Sequence, residues 1–185
     1  MAFKKLLYTP EEMTKAISAI ASAIRQDFET DSSLPYALVG LYKQGVPLMK
    51  RICKEIETAT GHRPECGCLD ITMYRDDFGL RSGLPLIRPT DITFNIDAHK
   101  LILVDDVLSS GRTIRAALDA ITDYGRPSII RLAVLVDRGS PEYPIRADYV
   151  GFNINLDPAH KIAVQFEEDG EAGIFEVNWQ PNSSN

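Results

Sequence analysis

Cysteine and histidine are scarce in this chain. The three cysteines, Cys53, Cys66 and Cys68, are odd in number and irregularly spaced, which argues against a disulfide framework. Cys66-x-Cys68 reads as two alternate positions on one face of a strand, not as half of a metal site. The three histidines, His62, His99 and His160, are never paired at metal-ligand spacing. No apolar run approaches the roughly 18–20 residues that span a bilayer. The start, MAFKKLLYTPEEM, has two lysines but only a two-residue apolar stretch before polar residues, unlike a signal peptide. These absences predict a cytoplasmic protein with no membrane attachment. A basic excess is missing as well. The formal net charge is −6, and from Asn155 onward one base, Lys161, stands against six acids. That excludes the strongly basic class of dedicated nucleic-acid binders and leaves only a local basic patch open. The acidic end reads as a solvated surface. Neither G-x-x-x-x-G-K-[ST] nor G-x-G-x-x-G occurs.

What is present is globular: 185 residues, 44% hydrophobic and 25% charged, enough for one domain with a sizeable core. No internal repeat or interdomain linker interrupts it. The reading is a single domain over 1–179 and a disordered tail over 180–185. Thr9-Pro10-Glu11-Glu12 is a strong helix start, with Thr9 as cap, Pro10 in the first position and Glu12 completing a capping box. Met13, Ile17, Ile20 and Ile24 then recur at helical spacing, to about Phe28. Tyr36–Leu41 reads as a buried strand, followed by a loop and a helix over about 46–60. Residues 67–74 alternate like a strand. Residues 75–95, rich in charge, Gly and Pro, read as a projecting hairpin or flap. A buried strand at 101–104, a helix over about 113–124 closed by Gly125 and Pro127, and a core strand at 128–136 follow. Shorter strands are expected near 148–153, 161–166 and 173–177. Strands alternating with helices over the first 137 residues predict an α/β fold: a mainly parallel central sheet with helices on both faces.

Residues 101–115, LILVDDVLSSGRTIR, carry the chemistry. A buried strand ends in two adjacent carboxylates, and ligands of open α/β sheets bind at that carboxyl end. The loop that follows feeds a helix. Its backbone N–H groups, with the hydroxyls of Ser109, Ser110 and Thr113, form an anion site, and Gly111 lets the backbone approach closely. Two acceptors beside a phosphate cradle suit a ribose phosphate. The plainer reading, that Asp105 and Asp106 cap a helix or pair with arginines, would fit a lone DD better than this strand–loop–helix setting.

LILVDDVLSSGRT resembles the phosphoribosyl-pyrophosphate (PRPP) motif of type I phosphoribosyltransferases. LDITMYRDDF (69–78), DDVLSSGRTIRAALDAITDYGRP (105–127) and LAVLVDRGSPEYPIRADYVGFNI (132–154) resemble the PyrR family, which joins pyrimidine-operon regulation to uracil phosphoribosyltransferase activity. The resemblance spans roughly residues 9–177. It implies the type I phosphoribosyltransferase fold, with a flap at 75–95 and a small hood of C-terminal strands at 140–179. It implies transfer of the PRPP ribosyl group to uracil, giving UMP and pyrophosphate, with Mg²⁺ as cofactor. The metal would be bound mainly through PRPP, near Asp105 and Asp106. By the same resemblance Asp105, Asp106 and Arg75 are catalytic. Lys43, Gln44 and the run Asp105, Asp106, Val107, Leu108, Ser109, Ser110, Gly111, Arg112 and Thr113 bind PRPP or nucleotide. Arg138 and the backbone at Ile162 meet the base. A homodimer or larger homo-oligomer is implied.

Two stretches depart from the family pattern. Its pyrophosphate loop usually reads G-I-K-T-R-G; here it is Gly40-Leu41-Tyr42-Lys43-Gln44-Gly45. A positive charge is kept at Lys43, but Gln44 replaces a planar bidentate donor, which predicts weaker PRPP affinity or turnover. The cations that hold messenger RNA are largely missing. The first helix has Lys15 alone where the family has R-R-A-L-T-R-I-A-H, Ser140-Pro141-Glu142-Tyr143 stands for H-R-E-L, and Phe152 replaces a lysine. Loss of several phosphate contacts argues against high-affinity RNA attenuation and leaves regulation by another route open. The alternative reading is a UMP- or PRPP-sensing regulator with vestigial catalysis, for which Gln44 is the best support. A phosphoribosyltransferase for orotate or a purine is a third.

Overall fold

Burial alternates along the central strands, and the alternation sorts the core into two halves. A computed structural model of the chain describes residues 3–30, 34–75, 88–97, 99–157 and 159–178. The expected flap falls largely on residues 76–87, outside the described residues, as does the expected tail at 180–185. The elements are β1 (Lys4–Tyr8), α1 (Pro10–Thr30), β2 (Tyr36–Leu41), α2 (Gly45–Thr60), β3 (Glu65–Leu69), β4 (Lys100–Leu108), α3 (Arg112–Ile121), β5 (Ile129–Asp137), β6 (Tyr149–Asn153), β7 (His160–Gln165) and β8 (Gly173–Asn178). β3-β2-β4-β5-β6 form one sheet, parallel at every pairing.

Leu38, Ile102, Val104, Ala133 and Leu135 face α1 and α2. Ala37, Val39, Leu101, Leu103, Leu132 and Val134 face the other way, toward α3. Side chains on a strand alternate between faces, so a strand clothed on both faces must be apolar throughout, as YALVGL and LILV are. Helix α1 starts as its capping box predicts. The Thr9 N–H donates to Glu12 Oε2 at 2.8 Å, and the Glu12 N–H to Thr9 Oγ1 at 3.3 Å. Met13, Ile17, Ile20, Ile24 and Phe28 lie along its buried stripe.

Three boundaries differ from expectation. The strand read over 67–74 ends at Leu69, because Asp70 Oδ1 accepts the Thr72 N–H at 2.7 Å and turns the chain into a 3-10 turn over Thr72–Tyr74. Helix α3 stops at Ile121, and Thr122–Tyr124 tighten into bonds reaching back three residues. The strand near 148–153 is β6 and joins the central sheet beside β5, so the hood read at 140–179 is narrower than expected. The small sheet has the order β1-β8-β7, with both pairings antiparallel. Its third member is therefore an N-terminal strand that carries no alternating pattern.

Crossovers leave the central sheet in opposite directions next to β2 and β4. Helix α2 follows β2 onto the α1 face, and α3 follows β4 onto the other. The carboxyl ends of β2 and β4 thus flank the topological switch point, the crevice in which open α/β sheets take their ligands.

Candidate active site

Two loops meet at the switch point. One, residues 41–45, leaves β2; the other, residues 108–112, leaves β4. Gly45 shows how closely they pack. A Cβ built on it would fall on the carbonyl oxygen of Val104 and lie 3.1 Å from the Cα of Asp105. Only glycine lets the first loop lie against the strand that carries the carboxylates.

Strand β4 runs four residues further than its apolar core, through the aspartate pair to Leu108. Asp105 is 5% exposed and Asp106 half-buried. The Asp106 N–H donates to Asp105 Oδ1 at 3.0 Å. Burial pushes the Asp105 carboxyl well above its usual value, the negative charge of Asp106 pushes it further, and the positive charge of Arg75 draws it partly back. Burial also raises Asp106, against the hydrogen bonds it receives from Asp105 and the backbone. Burial and the neighbouring negative charge thus favour the protonated form of Asp105 more than water does. Arg75, half-buried at the end of the Thr72–Tyr74 turn, acts on Asp105 through its charge. Its alternative partners, Asp76 and Asp77, lie outside the described residues.

Beyond the pair, Ser109, Ser110 and Thr113 are half-buried, and Gly111 is buried at the N-cap of α3 with φ of +89°. That conformation costs a side chain energy and glycine none. The loop is pinned from behind. The Ser110 carbonyl accepts the N–H groups of Glu142 and Tyr143 at 2.9 and 3.1 Å, and the Leu108 carbonyl that of Arg138 at 2.9 Å. Arg112 is exposed, and its guanidinium forks onto Glu142 Oε2 at 3.0 and 2.7 Å, beside the Tyr143 ring. The Arg112 side chain thus holds the 140–143 segment, while its backbone opens the helix.

Arg138 follows β5, half-buried, and its Nε is buried without a hydrogen-bond partner among the described residues. Lys43 is exposed, and Gln44 is half-buried with Nε2 donating to Asp169 Oδ2 at 2.9 Å. Ile162 is on β7, opposite Glu176 in the small sheet, half-buried against the α1–α2 core.

Sequence reasoning missed three features here. Asp137, the last residue of β5, pairs with Leu108 at the same sheet edge, and its Oδ1 accepts the Gly139 N–H at 2.8 Å. It stands in VDRG, the segment from which only Arg138 was drawn. Gln44 and Arg51 together tie the switch-point loop and α2 to the turn Glu167–Asp169. Arg51 binds Glu167 and Glu168 at 2.6 and 2.7 Å and covers the Phe166 ring. No local sequence signal announces that clamp. Arg88 lies over the Tyr42 ring, 5.4 Å from its centroid.

A phosphoribosyl transferase domain model matches residues 6–170. A bifunctional protein PyrR of Roseiflexus sp. (strain RS-1) is 45% identical over 176 residues, 94% of this chain and 95% of that protein. The chain belongs to the PyrR family. A second PyrR, from Chloroflexus aurantiacus, is 44% identical over 177 residues, 96% of this chain and 95% of the relative. PyrR membership agrees with the resemblance carried by 69–78, 105–127 and 132–154. Among solved structures, the hypoxanthine phosphoribosyltransferase of Trypanosoma cruzi in complex with the product IMP superposes with a TM-score of 0.71 at 20% identity. It covers 99% of this chain and 97% of that one. At that identity the likeness establishes the phosphoribosyltransferase fold and leaves the base open.

Proposed function

We propose that this PyrR-family chain is a uracil phosphoribosyltransferase, converting uracil and PRPP to UMP and pyrophosphate at the switch point. The observation that carries the reading is the Asp105–Asp106 pair, set between the anion loop 109–113 and the glycine-packed loop 41–45. Ribose hydroxyls donate to the two carboxylates. The 5′-phosphate lies on the N–H groups and hydroxyls of Ser109, Ser110, Gly111 and Thr113, at the positive end of α3. Pyrophosphate extends toward loop 41–45 and Lys43. Arg75 and Arg138 supply positive charge, Arg75 at the leaving group and Arg138 beside the base. Arg138 keeps one buried N–H in reserve for a ligand. The uracil ring nitrogen forms a bond to the anomeric carbon as the bond to pyrophosphate breaks. The ribose carries oxocarbenium charge between those events, and the anionic pair beneath it stabilises that charge.

The donor set suits Mg²⁺ held chiefly by its ligand. Among the described residues no cluster of three or more acidic, His or Cys side chains stands ready for a metal. Asp105 and Asp106 offer two oxygen donors, the hard ligands that Mg²⁺ prefers, and PRPP supplies the rest. Held there with PRPP, Mg²⁺ would supply neutralisation of the pyrophosphate charge.

The departures bear on this reading. Lys43 is the cation that remains in the pyrophosphate loop, and a charge-assisted hydrogen bond is worth about 1.5–3 kcal/mol. Lys43→Ala is therefore expected to raise the KM for PRPP about tenfold or more while leaving the KM for uracil within about twofold. Initial rates with each substrate varied in turn check it. Phe152, where the family carries a lysine, stacks on Tyr8 with ring centroids 3.9 Å apart. It is a packing residue here, and with Lys15 the lone cation in Thr14–Ser22, tight RNA attenuation lacks support. We take the chain to work in the cytoplasm as a homo-oligomer. No helix among the described residues is long and apolar enough to cross a membrane.

Base choice is tested by competition. With uracil, orotate and hypoxanthine together in one PRPP- and Mg²⁺-containing assay, UMP is the expected nucleotide product. A preference for orotate or hypoxanthine would refute the assignment to uracil.

A further inference from the structure

Cys53 and Cys66 lie outside the proposed phosphoribosyl site, and the mechanism uses neither. Cys53 is on the inner face of α2, fully buried, and Cys66 is half-buried at the start of β3. Their sulfurs are 3.2 Å apart, within hydrogen-bond reach for thiols, and both are free. The surroundings make the two unequal. Cys66 has the Arg63 guanidinium beside its sulfur and some solvent exposure. Cys53 has the Met49 sulfur at 3.7 Å and core residues around it. Either sulfur can donate to the other; that hydrogen bond, with burial, pushes the Cys53 thiol up, and the same bond draws the Cys66 thiol down to about 6. Arg63 adds to the same effect. When neutral, Cys66 has the Pro64 carbonyl as acceptor at 3.1 Å. Cys68, two residues along the same strand face, differs. Burial raises its thiol, so it serves as an internal reference for reactivity.

A partly exposed thiolate next to a cation, with a second thiol in contact, is the arrangement of a peroxide-reactive cysteine and its resolving partner. We propose that Cys66 and Cys53 form a reversible redox site, in which Cys66 reacts with a hydroperoxide and Cys53 resolves the product to an intramolecular disulfide. The Cys66 thiolate attacks the peroxide O–O bond and takes one oxygen as sulfenic acid; the other leaves as hydroxide from hydrogen peroxide, or as alkoxide from an organic hydroperoxide, and is released as water or alcohol once protonated. The Cys53 sulfur then attacks the Cys66 sulfur, the S–O bond breaks and water departs with the Cys53 proton. Two electrons pass from the cysteine pair to the peroxide, and a small dithiol returns them. The cross-link joins α2, which begins at the pyrophosphate loop, to β3 at the edge of the sheet.

Treatment of the whole protein with equimolar hydrogen peroxide tests this, followed by alkylation and mass spectrometry without reductant. The expected result is a loss of about 2 Da per chain, a linked peptide pair containing Cys53 and Cys66, alkylation of Cys68 alone, and full reversal by dithiothreitol. Cys66→Ser should leave the remaining two thiols unoxidised, and Cys53→Ala, which also removes the hydrogen bond that lowers the Cys66 thiol, should leave a Cys66 sulfenic acid that forms more slowly and that dimedone traps. Oxidation first at Cys68, a disulfide between chains, or three unchanged thiols would overturn the proposal. The wild-type peptide map decides the matter even if Cys53→Ala fails to fold, and every readout is independent of UMP formation.

Discussion

Replacing Asp105 and Asp106 together with asparagine is expected to abolish UMP formation, by at least about 10³-fold in kcat/KM, while the protein becomes more stable at neutral pH. Removing one preorganised electrostatic group from an active site costs about 10²–10³ in rate, and this variant removes the pair that faces the ribose. The stability effect has the opposite sign for a physical reason. Both carboxyls titrate above their ordinary value of 3.8 in the folded chain, chiefly because they are buried. The folded state therefore binds their protons more tightly than the unfolded state does. The stability this contributes is complete below about pH 3.8 and is lost as pH rises through the raised folded values. At pH 7 the wild-type chain carries that deficit, and the isosteric amides do not. Thermal melts across pH check it. The variant should melt above wild type at pH 7, by about 2–4 °C for each kcal/mol relieved, and the two curves should converge near pH 3.5. A variant that melts lower at pH 7 would mean that the pair holds the fold together.

Gly45→Ala is expected to damage both fold and site, because its methyl group has nowhere to go. The added carbon falls on the Val104 carbonyl oxygen, and β4 cannot retreat, since β2 and β5 hold it on both edges. Overpacking of this kind costs about 1–3 kcal/mol, readable as a lower urea midpoint at an unchanged slope. Relief must come from moving loop 41–45 away from Asp105. A displacement of about 1 Å at a reacting centre costs on the order of 100-fold in rate. The loss in kcat/KM for PRPP should therefore exceed what the stability change explains, measured at a temperature where the variant remains fully folded.

The aspartate pair and its loop were legible because their chemistry is contiguous: strand, carboxylates, anion loop and helix start lie within LILVDDVLSSGRTIR. The central sheet was legible for a similar reason, since strands buried on both faces must be apolar without interruption. Strand β1 was not. Its residues Lys4–Leu6 are exposed, and what makes it a strand is pairing with β8 at the far end of the chain. The Gln44–Asp169 bond and the Arg51 grip on Glu167 and Glu168 join segments more than a hundred residues apart, and such pairs leave no periodicity to read. Gly45 was visible as the end of a loop, but what it abuts depends on β4 lying beside β2. Cys66-x-Cys68 did prove to be alternate positions on one strand face. The approach of Cys53 to Cys66 depends on how α2 packs over β3.

The most direct measurement is product formation by the purified chain from uracil, PRPP and Mg²⁺, with UMP resolved by chromatography and pyrophosphate measured in the same samples. The account predicts equimolar UMP and pyrophosphate, dependent on Mg²⁺ and absent from the Asp105→Asn, Asp106→Asn variant. No UMP from folded wild-type protein, or UMP formed equally well by that variant, would contradict it.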